Sequence, residues 1–185
     1  MAKASLLKQL YQWHWISSAI CLVGILLFSA TGITLNHASQ IEAQPTTTRQ
    51  ETATPSSINL QLQQVAQQAT EQKILPNNVK NWLINQQGIR LTSESQIEWS
   101  AEEVYISLPK AGGDAWARFS LADAQFEYES TSRGLVSLLN DLHKGRHTGT
   151  VWQWFIDLFA VACLIFSLTG LFILQQHARR RPMVW

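Results

Sequence analysis

Between residues 38 and 142 the chain has no histidine and no cysteine. That stretch therefore lacks a disulfide, a thiolate metal cluster and an imidazole base. It shows no nucleophile–base constellation either, so catalysis within it is not expected. Cys21 and Cys163 are the only cysteines, and with no CxxC a zinc site built on a cysteine cluster is excluded. Charge is missing in two blocks: residues 16–35 carry none, and residues 155–174 carry only Asp157. The tails outside those blocks hold Lys3, Lys8, Arg179, Arg180 and Arg181 and no acid. A net charge of +1 gives no basic surface of the kind that binds nucleic acid, and no nucleic-acid partner is expected.

The two uncharged blocks are the strongest positive signal. Twenty residues at 1.5 Å each reach about 30 Å, the thickness of a bilayer core. Both are expected to be transmembrane helices, antiparallel to each other. A cleaved signal peptide is the other reading of the first block, but it is long for one and its C-terminal twin cannot be one. The segment between the blocks has nine Lys/Arg against twelve Asp/Glu. Basic tails stay in the cytoplasm, which places both termini inside and residues 38–150 outside. The blocks also share a signature: Trp13-His14-Trp15 precedes Phe28-Ser29-Ala30-Thr31-Gly32, and Trp152-Gln153-Trp154 precedes Phe166-Ser167-Leu168-Thr169-Gly170.

The intervening chain reads as a small α+β unit. Residues 38–57, rich in Gln, Thr, Ser and Pro, suggest a flexible tether. Leu60, Val65 and Ala69 suit a weak amphipathic helix over 58–73, broken at Pro76-Asn77-Asn78 and followed by a short helix holding Val79, Trp82 and Leu83. Alternating runs at 88–92, 96–99, 104–108, 116–121 and 125–128 predict strands, with a helix over 134–142.

Helical phase assigns a contact stripe to each membrane helix. In the first it comprises His14, Ser17, Cys21, Gly24, Phe28, Thr31 and Leu35. In the second it comprises Ala160, Cys163, Ser167, Gly170, Leu174 and His177. Small residues at this spacing let helices approach closely. If the stripes face each other, His14 meets His177 near the inner surface. At the outer end His37 would meet His143 or His147, with Gly145 and Gly149 allowing the necessary bend.

Five histidines cluster at helix ends or junctions: His14, His37, His143, His147 and His177. Two imidazoles from facing helices make an axial pair for a low-spin haem b iron, an electron-transfer site. Lys144 and Arg146 outside, and Lys8 with Arg179 to Arg181 inside, would neutralise the propionates. Hydrogen bonding to lipid or backbone is the plainer reading of each histidine. His143 and His147 have the i, i+4 spacing of a helical metal pair, but no glutamate follows the first histidine as in a zinc hydrolase, and Asp141 is a weak third ligand. Asp157 is read either as part of a proton path or orienter of a ligand histidine, or as a packing hydrogen bond to Ser29, Thr31 or Asn36.

Trp13-His14-Trp15, Thr31-Gly32-Ile33-Thr34-Leu35-Asn36-His37, Leu139-Asn140-Asp141-Leu142-His143-Lys144-Gly145-Arg146 and Asp157 with Ser167-Leu168-Thr169-Gly170 together resemble the PepSY-associated transmembrane helix family. The resemblance covers both spans and their junctions, and the outer unit resembles a PepSY domain. It implies a bacterial inner-membrane protein of five parts: tail and first helix 1–37, linker 38–57, periplasmic PepSY-like α+β domain 58–142, junction and second helix 143–177, and tail 178–185. Larger four-span members are similar to siderophore-iron reductases that carry haem in the membrane. By motif, the resemblance implies His14, His37 and His143 as haem ligands. His147 and His177 enter by geometry alone. With two spans, a haem-bearing chain would need a homodimer or a membrane partner to complete a four-helix bundle. The expected function is a transmembrane electron-transfer component serving periplasmic iron or a redox partner, part of a ferric reductase system. The alternative is a cofactor-free, membrane-anchored binding or assembly module acting through the PepSY-like domain.

Overall fold

The computed structural model describes residues 2–42, 44–68 and 73–178. In chain order the elements are α1 (Ala2–Asn36), β1 (Thr46–Ala53), α2 (Ser56–Ala66), α3 (Asn77–Asn85), β2 (Gln96–Trp99), β3 (Glu103–Ser107), β4 (Gly113–Ser120), β5 (Gln125–Ser132), α4 (Leu135–Lys144) and α5 (Thr150–Ala178). They fall into two compact units, Met1–Ile41 with Leu142–Trp185, and Glu42–Asp141, the boundary lying within α4.

The helical unit pairs α1 with α5. At 35 and 29 residues these helices reach about 52 and 43 Å by their rise per residue. Both are long and apolar enough to cross a membrane. Most of their large aliphatic side chains are exposed, among them Leu22, Val23, Leu26, Val161 and Leu168. The contact between them accordingly depends on a narrow seam.

The second unit is built on a five-stranded antiparallel sheet of order β1-β5-β4-β3-β2. Alternation decides its inner face: Val104 and Ile106 on β3 and Ala115, Ala117 and Phe119 on β4 are buried, while their neighbours are not. Ile58 and Leu62 of α2 and Val79 and Leu83 of α3 join this layer in one core with Phe126 of β5. Trp82 closes it, packing against Phe119 and Phe126 at centroid distances of 5.8 and 5.0 Å. Asn59 and Gln63 both donate to the Leu121 carbonyl, fixing α2 to the end of β4. A buried carboxylate also shapes this unit: Asp141 accepts the Gly112 amide at 2.8 Å, where Gly112 turns with a φ of +72°. Leu138 lies so close to Gly112 that a Cβ there would come within 2.8 Å of it.

Three expectations change. The tether over 38–57 contains β1, an edge strand paired with β5 along its whole length, and the unit begins at Glu42 rather than 58. All eight β1 residues are exposed, so no burial alternation marks it; the backbone ladder and pairs such as Thr47–Thr131 and Arg49–Glu127 hold it. The strand expected at 88–92 is irregular chain: Gly88 has a φ of +70°, and the Ile89 amide turns back to the Leu83 carbonyl. The helix expected over 58–73 spans Ser56–Ala66; Ala69 lies outside the described residues.

Candidate functional site

The seam between α1 and α5 works by fitting large side chains into notches left by small ones. Gly24 is buried against Phe159, and a Cβ added there would lie 2.2 Å from the ring. Phe28 stacks on the same ring at 5.1 Å. Cys21, fully buried, is within hydrogen-bonding reach of Cys163. Toward the start of α1, His14 stacks on Phe166 at 4.7 Å, and its Cε1 would be 3.1 Å from a Cβ at Gly170. Toward its end, His143 packs against Phe28 at 5.1 Å and stands over Gly32.

His14 also bonds across the seam, and His143 bonds from α4 to α1. His14 Nδ1 lies 3.1 Å from the Phe166 carbonyl and 3.1 Å from Thr169 Oγ1. A carbonyl only accepts, so Nδ1 carries the proton. His143 Nδ1 lies 2.8 Å from Thr31 Oγ1, whose hydroxyl donates to the Leu27 carbonyl and therefore receives from the imidazole. The turn bringing His143 back to α1 uses positive φ at Gly145, His147 and Gly149, and Trp152 Nε1 donates to the Leu142 carbonyl at its base.

The stripe expected on α1 matches the seam at every position: His14, Ser17, Cys21, Gly24, Phe28, Thr31 and Leu35 are all buried or half-buried. The stripe expected on α5 does not. Ala160, Ser167, Leu174 and His177 are exposed, and the seam runs through Ile156, Phe159, Ala162, Cys163, Phe166, Thr169, Gly170 and Ile173. Small residues do not mark Phe159 and Phe166, because on the knob side of a knob-and-notch contact the large residue is the signal. The two phenylalanines sit seven residues apart, a repeat that could have revealed them.

This rotation takes His177 away from His14, and the outer pair expected of His37 does not form with His143. His177 is exposed and its Nδ1 bonds back to the Ile173 carbonyl of its own helix at 3.0 Å. His37 does the same with Ile33 at 3.0 Å. His147 is half-buried beside Arg146 in the α4–α5 turn. Among the described residues, none of His14, His37, His143 and His177 shares a hydrogen bond or ring contact with another histidine. Arg179 to Arg181 lie outside the described residues. Asp157 is exposed on α5 and makes no hydrogen bond to Ser29, Thr31 or Asn36 among the described residues, Thr31 being engaged by His143.

In the neutral form each of these four imidazoles keeps its proton on Nδ1, which leaves the Nε2 lone pair for ligation. Axial ligation needs two such atoms on opposite faces of one porphyrin. His14 and His143 meet α1 some 17 residues apart, about 26 Å along the helix, and Phe28, Phe159 and Phe166 fill the seam between them. A bis-histidine haem does not fit within the α1–α5 seam of one chain. Nor do three or more His, Cys, Asp or Glu side chains converge on a metal position among the described residues.

The sheet unit carries its own electrostatics on the face opposite α2 and α3. Arg118 bridges Glu127 at 2.7 Å and Glu103 at 3.4 Å, and Arg49 reaches Glu127 at 3.0 Å. The Arg118 hydrogen bond holds the Glu127 carboxyl below its usual range, and Glu127 in turn raises the guanidinium. Tyr105 stacks on Trp116 at 6.0 Å, and Trp116 Nε1 donates to Glu129. Burial pushes the Tyr105 phenol up, with Glu98, Asp114 and Glu129 adding to the shift.

Against known proteins, one family profile, described as PepSY_TM-like, matches residues 5–185. No curated protein and no solved structure matches the chain.

Proposed function

The chain belongs to the PepSY_TM-like family, and from that premise we propose that it is a bacterial inner-membrane anchor presenting a periplasmic, PepSY-like binding or assembly module. On this reading α1 and α5 cross the bilayer antiparallel with both termini in the cytoplasm. Residues Glu42–Asp141 then form the module that a second periplasmic protein meets. The observation that carries it is the use made of His14 and His143. Each spends its Nδ1 proton on the opposing element and its ring on a glycine notch, so His14 locks α1 to α5 and His143 locks α4 to α1. In lipid, where burial of aliphatic groups drives no association, such fitted contacts and hydrogen bonds are what hold two helices together.

Purification in mild detergent from haem-replete cells, followed by a reduced-minus-oxidised spectrum, tests the reading. A folded, colourless protein is the expected result. A stoichiometric haem b band lost in His14→Ala or His143→Ala contradicts it.

One observation favours a second reading: the Nε2 lone pairs left on His14, His37, His143 and His177. A homodimer or a membrane partner could bring Nε2 atoms from different chains to one haem b, making the protein an electron-transfer component for periplasmic iron. The same spectrum decides between the two, since only the second requires colour.

A further inference from the structure

A cavity of about 190 Å³ opens on the sheet unit, lined by Gly88, Ile89 and Arg90, by Leu108, Pro109 and Lys110, and by Tyr128 among others. Its walls divide by chemistry. Ile89 and Leu108 are buried core residues, so the floor is apolar. Arg90 and Lys110 supply two cations, and no carboxylate lines the cavity.

Those cations differ from the other arginines of this unit. Arg49, Arg118 and Arg133 are each paired with a carboxylate. Among the described residues, neither Arg90 nor Lys110 forms an ion pair. Lys110 is also held in place. Its stem lies over Gly113, where a Cβ would stand 3.1 Å from Lys110 Cε, and its ammonium donates to the Ser130 hydroxyl. An ammonium has three protons to donate, and one hydroxyl takes only one of them. Two cations beside an apolar floor, in a region where acids outnumber bases, form a site prepared for an anion with a greasy flank.

We propose that this cavity binds a carboxylate carried on a small apolar group, such as the C-terminal residue of a peptide. The volume suits it: at about 30 Å³ per water, the space equals roughly six waters, enough for a carboxylate and one aliphatic side chain. Arg90 presents a fork suited to two carboxylate oxygens, and Lys110 a point charge. The inference rests on the binding-module reading and names what that module would grip.

The test uses the full chain in lipid nanodiscs and titration calorimetry with three probes: N-acetyl-Ala-Leu as the free acid, its C-terminal amide, and inorganic phosphate. The free acid should bind, with the amide and phosphate each about tenfold weaker or more. Lys110→Gln and Arg90→Gln should each weaken the free acid by about tenfold, while Lys80→Gln leaves it unchanged. Circular dichroism of each variant confirms the fold. No heat from the free acid, equal binding of the amide, or unaltered affinity in both variants overturns the proposal. Phosphate binding as well as the free acid also overturns it, since the apolar floor would then contribute nothing. An absorption spectrum of the same sample keeps the two failures apart: haem colour removes the binding-module reading, whereas a colourless protein that ignores the free acid removes only this site.

Discussion

The two units of this chain are held together by different physics. Among its described residues the sheet unit buries fourteen apolar side chains in one cluster, including Phe119, Phe126, Leu62 and Leu83. Among the described residues, the α1–α5 unit buries only Cys21 and Ala162 of its hydrophobic side chains and leaves most of its aliphatics exposed. In water, removing apolar area is worth about 25 cal/mol per Å² and gathers a core. In lipid that driving force disappears, and steric fit with a few hydrogen bonds decides. The same residue types therefore carry different weight in the two places: a phenylalanine in the sheet is core volume, whereas Phe159 in the helix pair is a knob cut for one glycine.

Substitutions chosen in pairs can break that comparison. The largest effect is expected from Phe119→Ala, which empties the centre of the sheet core and should cost about 3–5 kcal/mol. Thermal unfolding of the sheet unit would report it, while oxidative cross-linking of Cys21 to Cys163 stays as in the parent. The reverse pattern is expected of Gly24→Leu. Its added carbons collide with Phe159 at a point where a Cβ alone comes within 2.2 Å, an overpacking of about 1–3 kcal/mol. The Cys21–Cys163 cross-link should fall and the sheet transition should stay put. Loss of both signals together in either variant would mean the units are not separately held.

A smaller effect sharpens the role of the histidines. His143→Ala removes the bond to Thr31 and the contact over Gly32, and should weaken the hold of α4 on α1 by about 0.6 kcal/mol, the usual worth of such a bond in a membrane. Faster amide hydrogen exchange in α4 reports it, with the Cys21–Cys163 cross-link unchanged. Least is expected from Glu127→Gln on the outer sheet face, roughly 0.2–1 kcal/mol given the screening there. Its pH dependence is the sharper reading. The folded-state pKa of Glu127 is lowered, so its contribution is full above the ordinary carboxylate range and lost as pH falls through the folded value. The stability gap between parent and variant should therefore close in strong acid and reopen toward neutrality.

How much of this was legible depended on which residue carries the signal. Four of the five strands and the α1 seam could be read because periodicity and burial agree: Val104 and Ile106 alternate with polar neighbours, and Ser17, Cys21, Gly24 and Phe28 keep helical spacing. β1 escaped because an edge strand exposed along its whole length has no buried face to leave a pattern. The 88–92 run alternated convincingly, but Gly88 takes a conformation that directs the chain back toward α3. On α5 the rule that small residues face the partner pointed one residue off. There the notches belong mainly to α1, and the phenylalanines fill them. That shift of register removed His177 from the seam and left His14 opposite Thr169.

On the proposed reading His14 locks α1 to α5 and His143 locks α4 to α1, and neither is a ligand. Nitrogen-15 NMR of selectively histidine-labelled full chain, prepared from haem-replete cells and held in nanodiscs in alkaline buffer, tests it most directly. Both residues are expected to show a protonated Nδ1 and a bare Nε2 with ordinary diamagnetic shifts. Nε2 resonances of either histidine displaced by bound iron would contradict it.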